Sequence, residues 1–309
     1  MIVKSIQIPL IIKKLEALLS RLPPNHPKRP IIEKELASRF KGYRGEQSLD
    51  FYLQELPPKD HLILHDIRLP ALNSQFQMDL LILTPYYLLN LEVKNSSGSL
   101  LFDETHQQLI RTHEGKEEGF AYPIIQIQRH KKLLTEWLTK NRLPQPPIEC
   151  LVVISSPQTI IRTKGSPSNL KYITRSSLVP EKIEHLNQLH TNEILSKKQL
   201  KRLSTLLIKQ HTPETFDPLE YFLIPKTDLL TGLHCPVCFT LPMKRKRGKW
   251  VFIACSYSSS NAHISSLQDY YFLIQPTITN QQCRHFLQPS SRFIAHDLLS
   301  DMQLQHAGR

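Results

Sequence analysis

Gln75-Phe76-Gln77-Met78-Asp79-Leu80-Leu81-Ile82-Leu83, then Thr84-Pro85-Tyr86-Tyr87, then Leu88-Leu89-Asn90-Leu91-Glu92-Val93-Lys94, reads as two strands joined by a short connection. An antiparallel hairpin centred between Pro85 and Tyr86 sets Asp79 opposite Glu92 and Gln77 opposite Lys94. Side chains two apart on a strand share a face, as do directly opposed pairs. Gln77, Asp79, Glu92 and Lys94 therefore gather on one face. Met78, Leu80, Ile82, Leu89, Leu91 and Val93 form a core surface on the other. Two opposed carboxylates destabilise a hairpin unless positive charge lies between them. Lys94 supplies one such charge. A divalent cation neutralises the pair better, and oxygen-only ligation suits Mg²⁺ or Mn²⁺. In isolation, Glu92-Val93-Lys94 is equally an ordinary solvent-facing ion pair; the apolar run around it and Asp79 in register favour a site.

Outward from the hairpin, residues 5–20 and 31–55 have helical apolar spacing, the first ending at Pro23-Pro24 and the second interrupted by Gly42 and Gly45. Strands are expected at 61–69, 99–102, 108–112 and 150–154, and helices at 122–141, in a pair across 176–211, and near 280–300. The domain boundaries drawn from this pattern are a helical extension (1–30), the strand-rich domain (31–160), a helical connector (161–225) and a cysteine-containing basic lobe (226–309).

Four segments in order resemble a known family. Gly42-Tyr43-Arg44-Gly45-Glu46, Gln77-Met78-Asp79, Leu91-Glu92-Val93-Lys94-Asn95-Ser96-Ser97-Gly98 and Gln126-Ile127-Gln128-Arg129-His130 together look like the nuclease-related (NERD) domain of the PD-(D/E)xK nuclease-like superfamily, over about residues 38–155. Met78 departs from the superfamily's eponymous motif, which has Pro before the Asp. The resemblance implies an α/β fold, a restriction-endonuclease-like mixed sheet flanked by helices, and Mg²⁺-dependent hydrolysis of phosphodiesters, with DNA the expected substrate. It implies that Asp79 and Glu92, helped by the Val93 carbonyl, hold the metal, and that Lys94 orients water or stabilises developing charge. Glu46 is expected to complete the shell or hold a second metal, Gln126 to position phosphate or water, and Arg129 to neutralise a phosphate. Each helper also has a plain reading: Glu46 as a charge at a helix start, Gln126 and Arg129 as exposed helix residues, His130 as a core or surface histidine.

In the last lobe, Cys235-Pro236-Val237-Cys238 forms a Cys-x-x-Cys knuckle and Cys255 follows in a strand-like stretch. A four-cysteine ribbon would place its last ligand at 258, which is Ser258. His263 is the expected substitute, giving a zinc-ribbon-like Cys₃His site; His234 and Cys283 are weaker substitutes, and a lobe that has lost its metal is the alternative. Between knuckle and third cysteine lie Lys244, Arg245, Lys246, Arg247, Lys249 and Trp250, a pattern that suits phosphate contact plus base stacking or, more plainly, a solvated hairpin tip.

The 309 residues carry 39 Lys+Arg against 27 Asp+Glu, a formal net charge of +12. Residues 1–150 hold 20 basic and 17 acidic side chains (+3), and residues 151–309 hold 19 and 10 (+9). An excess of this sign suits a polyanionic partner. Five cysteines are too few for a disulfide framework, and no apolar run of membrane-spanning length occurs, so a reducing cytoplasm is the expected compartment. No GxGxxG, GxxxxGK[ST] or GxSxG is present, which removes the main support for dinucleotide, P-loop and esterase chemistry. The function expected is a Mg- or Mn-dependent nuclease. Its rival is a non-catalytic nucleic-acid-binding or adaptor protein that keeps the fold; a redox or ligase role for Cys235 and Cys238 is a third.

Overall fold

The structure, a computed structural model, describes residues 1–57, 61–72, 74–165, 167–235, 237–238, 241–246, 248–252, 255–289 and 291–305. In chain order the elements begin with β1 (Ile2–Lys4), α1 (Leu10–Arg21) and α2 (Arg29–Leu53). Then come β2 (Leu62–Pro70), β3 (Gln75–Leu83), β4 (Leu88–Lys94), β5 (Ser99–Asp103), β6 (Gln108–His113) and β7 (Lys116–Ala121). After α3 (Pro123–Lys140) follow β8 (Ile148–Ile154), β9 (Ile160–Lys164), β10 (Ile173–Arg175), α4 (Val179–Leu189), α5 (Lys197–Gln210) and α6 (Pro218–Tyr221). The chain ends with β11 (Lys244–Lys246), β12 (Lys249–Val251), β13 (Ser258–Ser259), α7 (Ala262–Leu273), α8 (Asn280–Leu287) and α9 (Arg292–Asp301).

These elements form two compact units, one of Met1–Gln7 with Phe40–Glu214, the other of Ile8–Arg39 with Thr215–Arg309. The first unit is mixed α/β. Its main sheet has the order β1-β2-β3-β4-β8-β10; β2, β3 and β4 form an antiparallel meander, and the pairs β1/β2, β4/β8 and β8/β10 are parallel. Strands β4 and β8 are central and buried along nearly their whole length, so they read as near-continuous apolar runs. One face of the sheet packs Leu64, Leu81, Leu83 and Leu88 against Ile124, Ile127 and Leu134 of α3 and Leu200, Leu203 and Leu207 of α5. The other packs Leu80, Ile82, Leu89, Leu91 and Val93 against Leu49 and Leu53 of α2 and Ile183 of α4. A second sheet, β7-β6-β5-β9, follows the meander.

Helix starts obey local chemistry. Pro123 opens α3 where a missing N–H costs nothing, and Ser196 with Gln199 forms a reciprocal capping box at α5. The interruption expected in α2 does not occur: the helix is continuous through Gly42 and Gly45. Each helical glycine costs about 1 kcal/mol relative to Ala. At Gly45 tertiary packing overrides that cost, because a Cβ there would sit 2.5 Å from Asn95 Cβ and 2.9 Å from Ser155 Oγ. Glycine is what lets α2 approach the end of β4.

In the second unit, the small sheet β11-β12-β13 shares a core with α7, α8 and α9 that includes Leu233, Cys235, Met243, Trp250, Tyr270, Cys283 and Phe286. The final helix expected near 280–300 is two helices, divided after Leu287 where Gln288 turns left-handed (φ 56°). Among the described residues no helix is long and apolar enough to cross a membrane.

Candidate functional site

The β3–β4 ladder runs in the expected register, with Leu83↔Leu88, Ile82↔Leu89, Leu81↔Asn90 and Leu80↔Leu91. Thr84 fixes the connection: its Oγ1 accepts from the N–H groups of Tyr86 and Tyr87 at 3.1 and 2.9 Å. Ladder pairing stops one step before Asp79 and Glu92. There the Asp79 carboxylate replaces a backbone partner, its Oδ2 accepting from the Val93 N–H at 2.8 Å. Gln77 pairs with Arg68 of β2.

One expected face assignment needs correcting. Met78 does not share a face with Leu80 and Ile82; it packs in the opposite cluster with Ile67, Leu69 and Phe76. The cause lies in β2. Its pairs with β3 include His65↔Leu80 and Ile67↔Met78 but skip Asp66 and Asp79 between them. Asp66 is left-handed, at φ 47°. A non-glycine residue in that region costs free energy and marks a local distortion. Both strands change face there, and two aspartates stand opposed at the change.

Glu92 is buried at 3% exposure. Its Oε1 accepts from Lys94 Nζ at 2.7 Å and from Gln126 Nε2 at 2.7 Å; Lys94 also donates to Gln126 Oε1 at 3.4 Å. Its Oε2 has no hydrogen-bond partner among the described residues and faces His130 Nδ1 at 3.9 Å. Gln126 and His130 lie one turn apart on α3, so both reach the same carboxylate. Arg129 is exposed on the same helix.

Glu46 comes from α2. Burial, then Asp66 and Glu92, raise its pKa to about 8, against the pull of Lys94 and Lys4. Asp79 is also held well above the usual carboxylate range, by burial first and then by Glu92 and Glu46. Mutual repulsion of this kind keeps adjacent carboxyl groups from ionising together. Sequence reasoning missed two members of this cluster, Asp66 and Lys4. Lys4 Nζ donates to the carbonyls of His65 and Asp66 at 2.7 and 2.8 Å and lies 3.8 Å from Asp66 Oδ2. No local motif could have found them, because strand β1 meets β2 across some sixty residues of chain.

Glu46, Asp79 and Glu92 offer donors whose chemistry suits a hard divalent cation, while in this structure their oxygens do not all close to within 4.8 Å of one another. The donors are all oxygen, they repel one another without a cation, and a buried Glu92 oxygen is left without a partner.

In the second unit the Sγ atoms of Cys235, Cys238 and Cys255 come together within 4.8 Å, with Cys255 3.4 Å from Cys235 and 3.6 Å from Cys238. Three thiols at that spacing could bind zinc. His263 stands outside this group; it is buried at the start of α7. His234 is engaged elsewhere, with Nε2 2.6 Å from the Ser20 carbonyl, and Cys283 is buried in the core with its thiol pushed up to about 11 by burial. Lys244, Lys246 and Lys249 are exposed and Arg245 is half-buried, while Arg247 lies outside the described residues. Trp250 corrects the stacking expectation: it is 1% exposed, with the Arg245 guanidinium 5.2 Å from its ring, and offers no free face to a base.

With this geometry in place, residues 41–155 match the nuclease-related domain (NERD) family. This segment, about a third of the chain, is similar to a nuclease-related domain and holds β2, β3, β4 and β8 of the mixed sheet together with helix α3. Its limits enclose Glu46, Asp79, Glu92, Lys94, Gln126 and Arg129. No curated protein and no solved structure matches the chain.

Proposed function

We propose that the chain is a divalent-metal-dependent nuclease that hydrolyses phosphodiester bonds, with DNA as its substrate. The observation that carries this reading is the mutual electrostatic coupling of Glu46, Asp79 and Glu92, with Lys94 2.7 Å from Glu92, at the end of the β3–β4 hairpin and within the segment that matches a nuclease-related domain. Asp79, Glu92 and Glu46 would hold Mg²⁺ or Mn²⁺, which when bound activates water and stabilises charge on phosphate oxygens.

The chain's own residues divide the remaining work. Val93 N–H fixes Asp79 through Oδ2 and leaves Oδ1 available. Gln126 and Lys94 fix Glu92 through Oε1 and leave Oε2 available. Lys94 is 28% exposed, so its ammonium reaches the solvent side while staying tethered; there it stabilises negative charge developing on a phosphoryl oxygen. Arg129 is free to pair with a flanking phosphate. Lys4 braces the Asp66 turn and offsets part of the acidic field felt by Glu46. In the second unit, Cys235, Cys238 and Cys255 would hold zinc and support a basic tip of Lys244, Lys246 and Lys249 that contacts phosphates.

The test is cleavage of labelled single- and double-stranded DNA in Mg²⁺ or Mn²⁺, with chelator controls, comparing wild type with Asp79→Asn and Lys94→Ala. Removing one such charge-stabilising group is expected to slow cleavage roughly 100-fold or more. Binding without cleavage by wild type in every divalent metal would leave the non-catalytic binding protein as the correct reading.

A further inference from the structure

Helix α5 carries no acidic residue between Lys197 and Gln210. Its buried face is Leu200, Leu203, Ser204 and Leu207. Its opposite face holds Lys198, Lys201, Arg202, Thr205 and Lys209. At 100° per residue these five fall within an arc of about 100°, and the row from Lys198 to Lys209 is about 16 Å long. All four cations are exposed, and among the described residues none has a carboxylate within ion-pair distance. With Leu206 they line a shallow depression of about 390 Å³. An unneutralised row of this kind opposes its own helix through like-charge repulsion and is complementary to a polyanion.

The row also has a direction. At the C-terminal end of α5, His211 Nδ1 accepts from the Arg68 N–H at 3.1 Å, and the Thr212 N–H donates to the Arg68 carbonyl at 3.0 Å. Arg68 pairs with Gln77 on β3 and lies two residues beyond Asp66. The basic row therefore ends beside the strands that carry Asp66 and Asp79.

We infer that the exposed face of α5 is a phosphate-backbone track that leads a nucleic-acid strand to the carboxylate cluster. This rests on the nuclease reading above and adds the surface that holds the substrate. The track meets phosphate groups, so it contributes affinity without sequence preference.

The experiment measures binding separately from cleavage. Fluorescein-labelled 30-mer DNA, single- and double-stranded, is titrated with full-length protein in EDTA at several salt concentrations. The variants are Lys198→Glu/Lys201→Glu/Arg202→Glu and a control of equal charge change, Lys13→Glu/Lys28→Glu/Lys34→Glu, all exposed positions. The track predicts at least a tenfold weaker Kd for the α5 variant, and a salt slope lower by up to about 3, one near-unit step for each phosphate that is no longer neutralised. The control is expected to weaken binding far less, and the α5 variant should unfold at a temperature no lower than wild type, since the substitutions relieve like-charge repulsion along the helix. Equal Kd and slope in wild type and the α5 variant, or an equal weakening in the control, would overturn the track while leaving the nuclease reading intact. Wild type that binds no DNA would overturn both.

Discussion

Gln126 donates its Nε2 hydrogen to Glu92 Oε1 at 2.7 Å, joining α3 to the centre of the sheet. The same oxygen takes Lys94, so a single carboxylate oxygen is held from two sides, while the other, buried and 3.9 Å from His130 Nδ1, accepts no hydrogen bond among the described residues. That asymmetry separates a group engaged by its neighbours from one free to take a ligand.

Substitution at Gln126 tests the arrangement. Gln126→Glu places a second carboxylate against Glu92 where a donor stood. Like charges this close raise each other's pKa and push the side chains apart. Cleavage is expected to fall roughly tenfold or more, because general positioning and charge terms are worth that much or more. Gln126→Ala, which keeps the Lys94 hydrogen bond to Glu92, should slow cleavage less. Single-turnover rates of the two variants, side by side, check the order.

The two glycines of α2 make opposite predictions. Gly42 has open space around its missing Cβ, so Gly42→Ala should stabilise the protein by up to about 1 kcal/mol through helix propensity. Gly45→Ala places a methyl 2.5 Å from Asn95 Cβ and 2.9 Å from Ser155 Oγ. Overpacking of that kind costs about 1–3 kcal/mol. It also displaces Glu46, the next residue, so cleavage should fall with stability. Urea unfolding of both variants gives the signs directly.

Asp103 at the end of β5 gives a pH prediction away from the proposed metal site. His106 first, then Lys164, hold its carboxyl below the usual range. A group with a depressed folded-state pKa contributes stability that is present above its unfolded pKa, near 4, and is lost as pH falls further. Asp103→Asn should therefore unfold at a lower temperature than wild type at pH 7. The gap should narrow below about pH 4. Thermal midpoints at pH 7, 5 and 3.5 measure it; a gap that is constant across that range contradicts the linkage.

Metal content tests the cysteine cluster on its own. Protein purified under reducing conditions is expected to hold zinc, and Cys235→Ser to lose it. Cys283→Ser, in the core and away from the three clustered thiols, should keep it. Elemental analysis decides this, and zinc-free wild type would contradict the zinc-holding role of the lobe.

Much of the hairpin was legible in sequence because its register is set locally, by alternation on both strands and a connection of four residues. That is why the Leu80↔Leu91 pairing follows from pattern alone. The faces near Met78 were not legible, since the distortion comes from a left-handed Asp66 on a neighbouring strand. Alternation assumes extended backbone, and it fails where one residue leaves that region. Lys4 escaped for a related reason: a three-residue strand with no motif acquires its role only by pairing with β2. Trp250 shows the converse error. An aromatic beside a basic run suggests stacking on a base, but a small lobe needs large side chains for its own core.

The most direct measurement is the single-turnover rate of DNA cleavage by wild type and Glu92→Gln as Mg²⁺ is raised from zero. Glu92→Gln keeps the side chain's size and an oxygen for Lys94, and removes the charge. The carboxylate site predicts a wild-type rate that is negligible without Mg²⁺, rises and saturates, and a Glu92→Gln rate lower by roughly 100-fold or more at every concentration. Equal rates for the two proteins, or cleavage that ignores Mg²⁺, would contradict it.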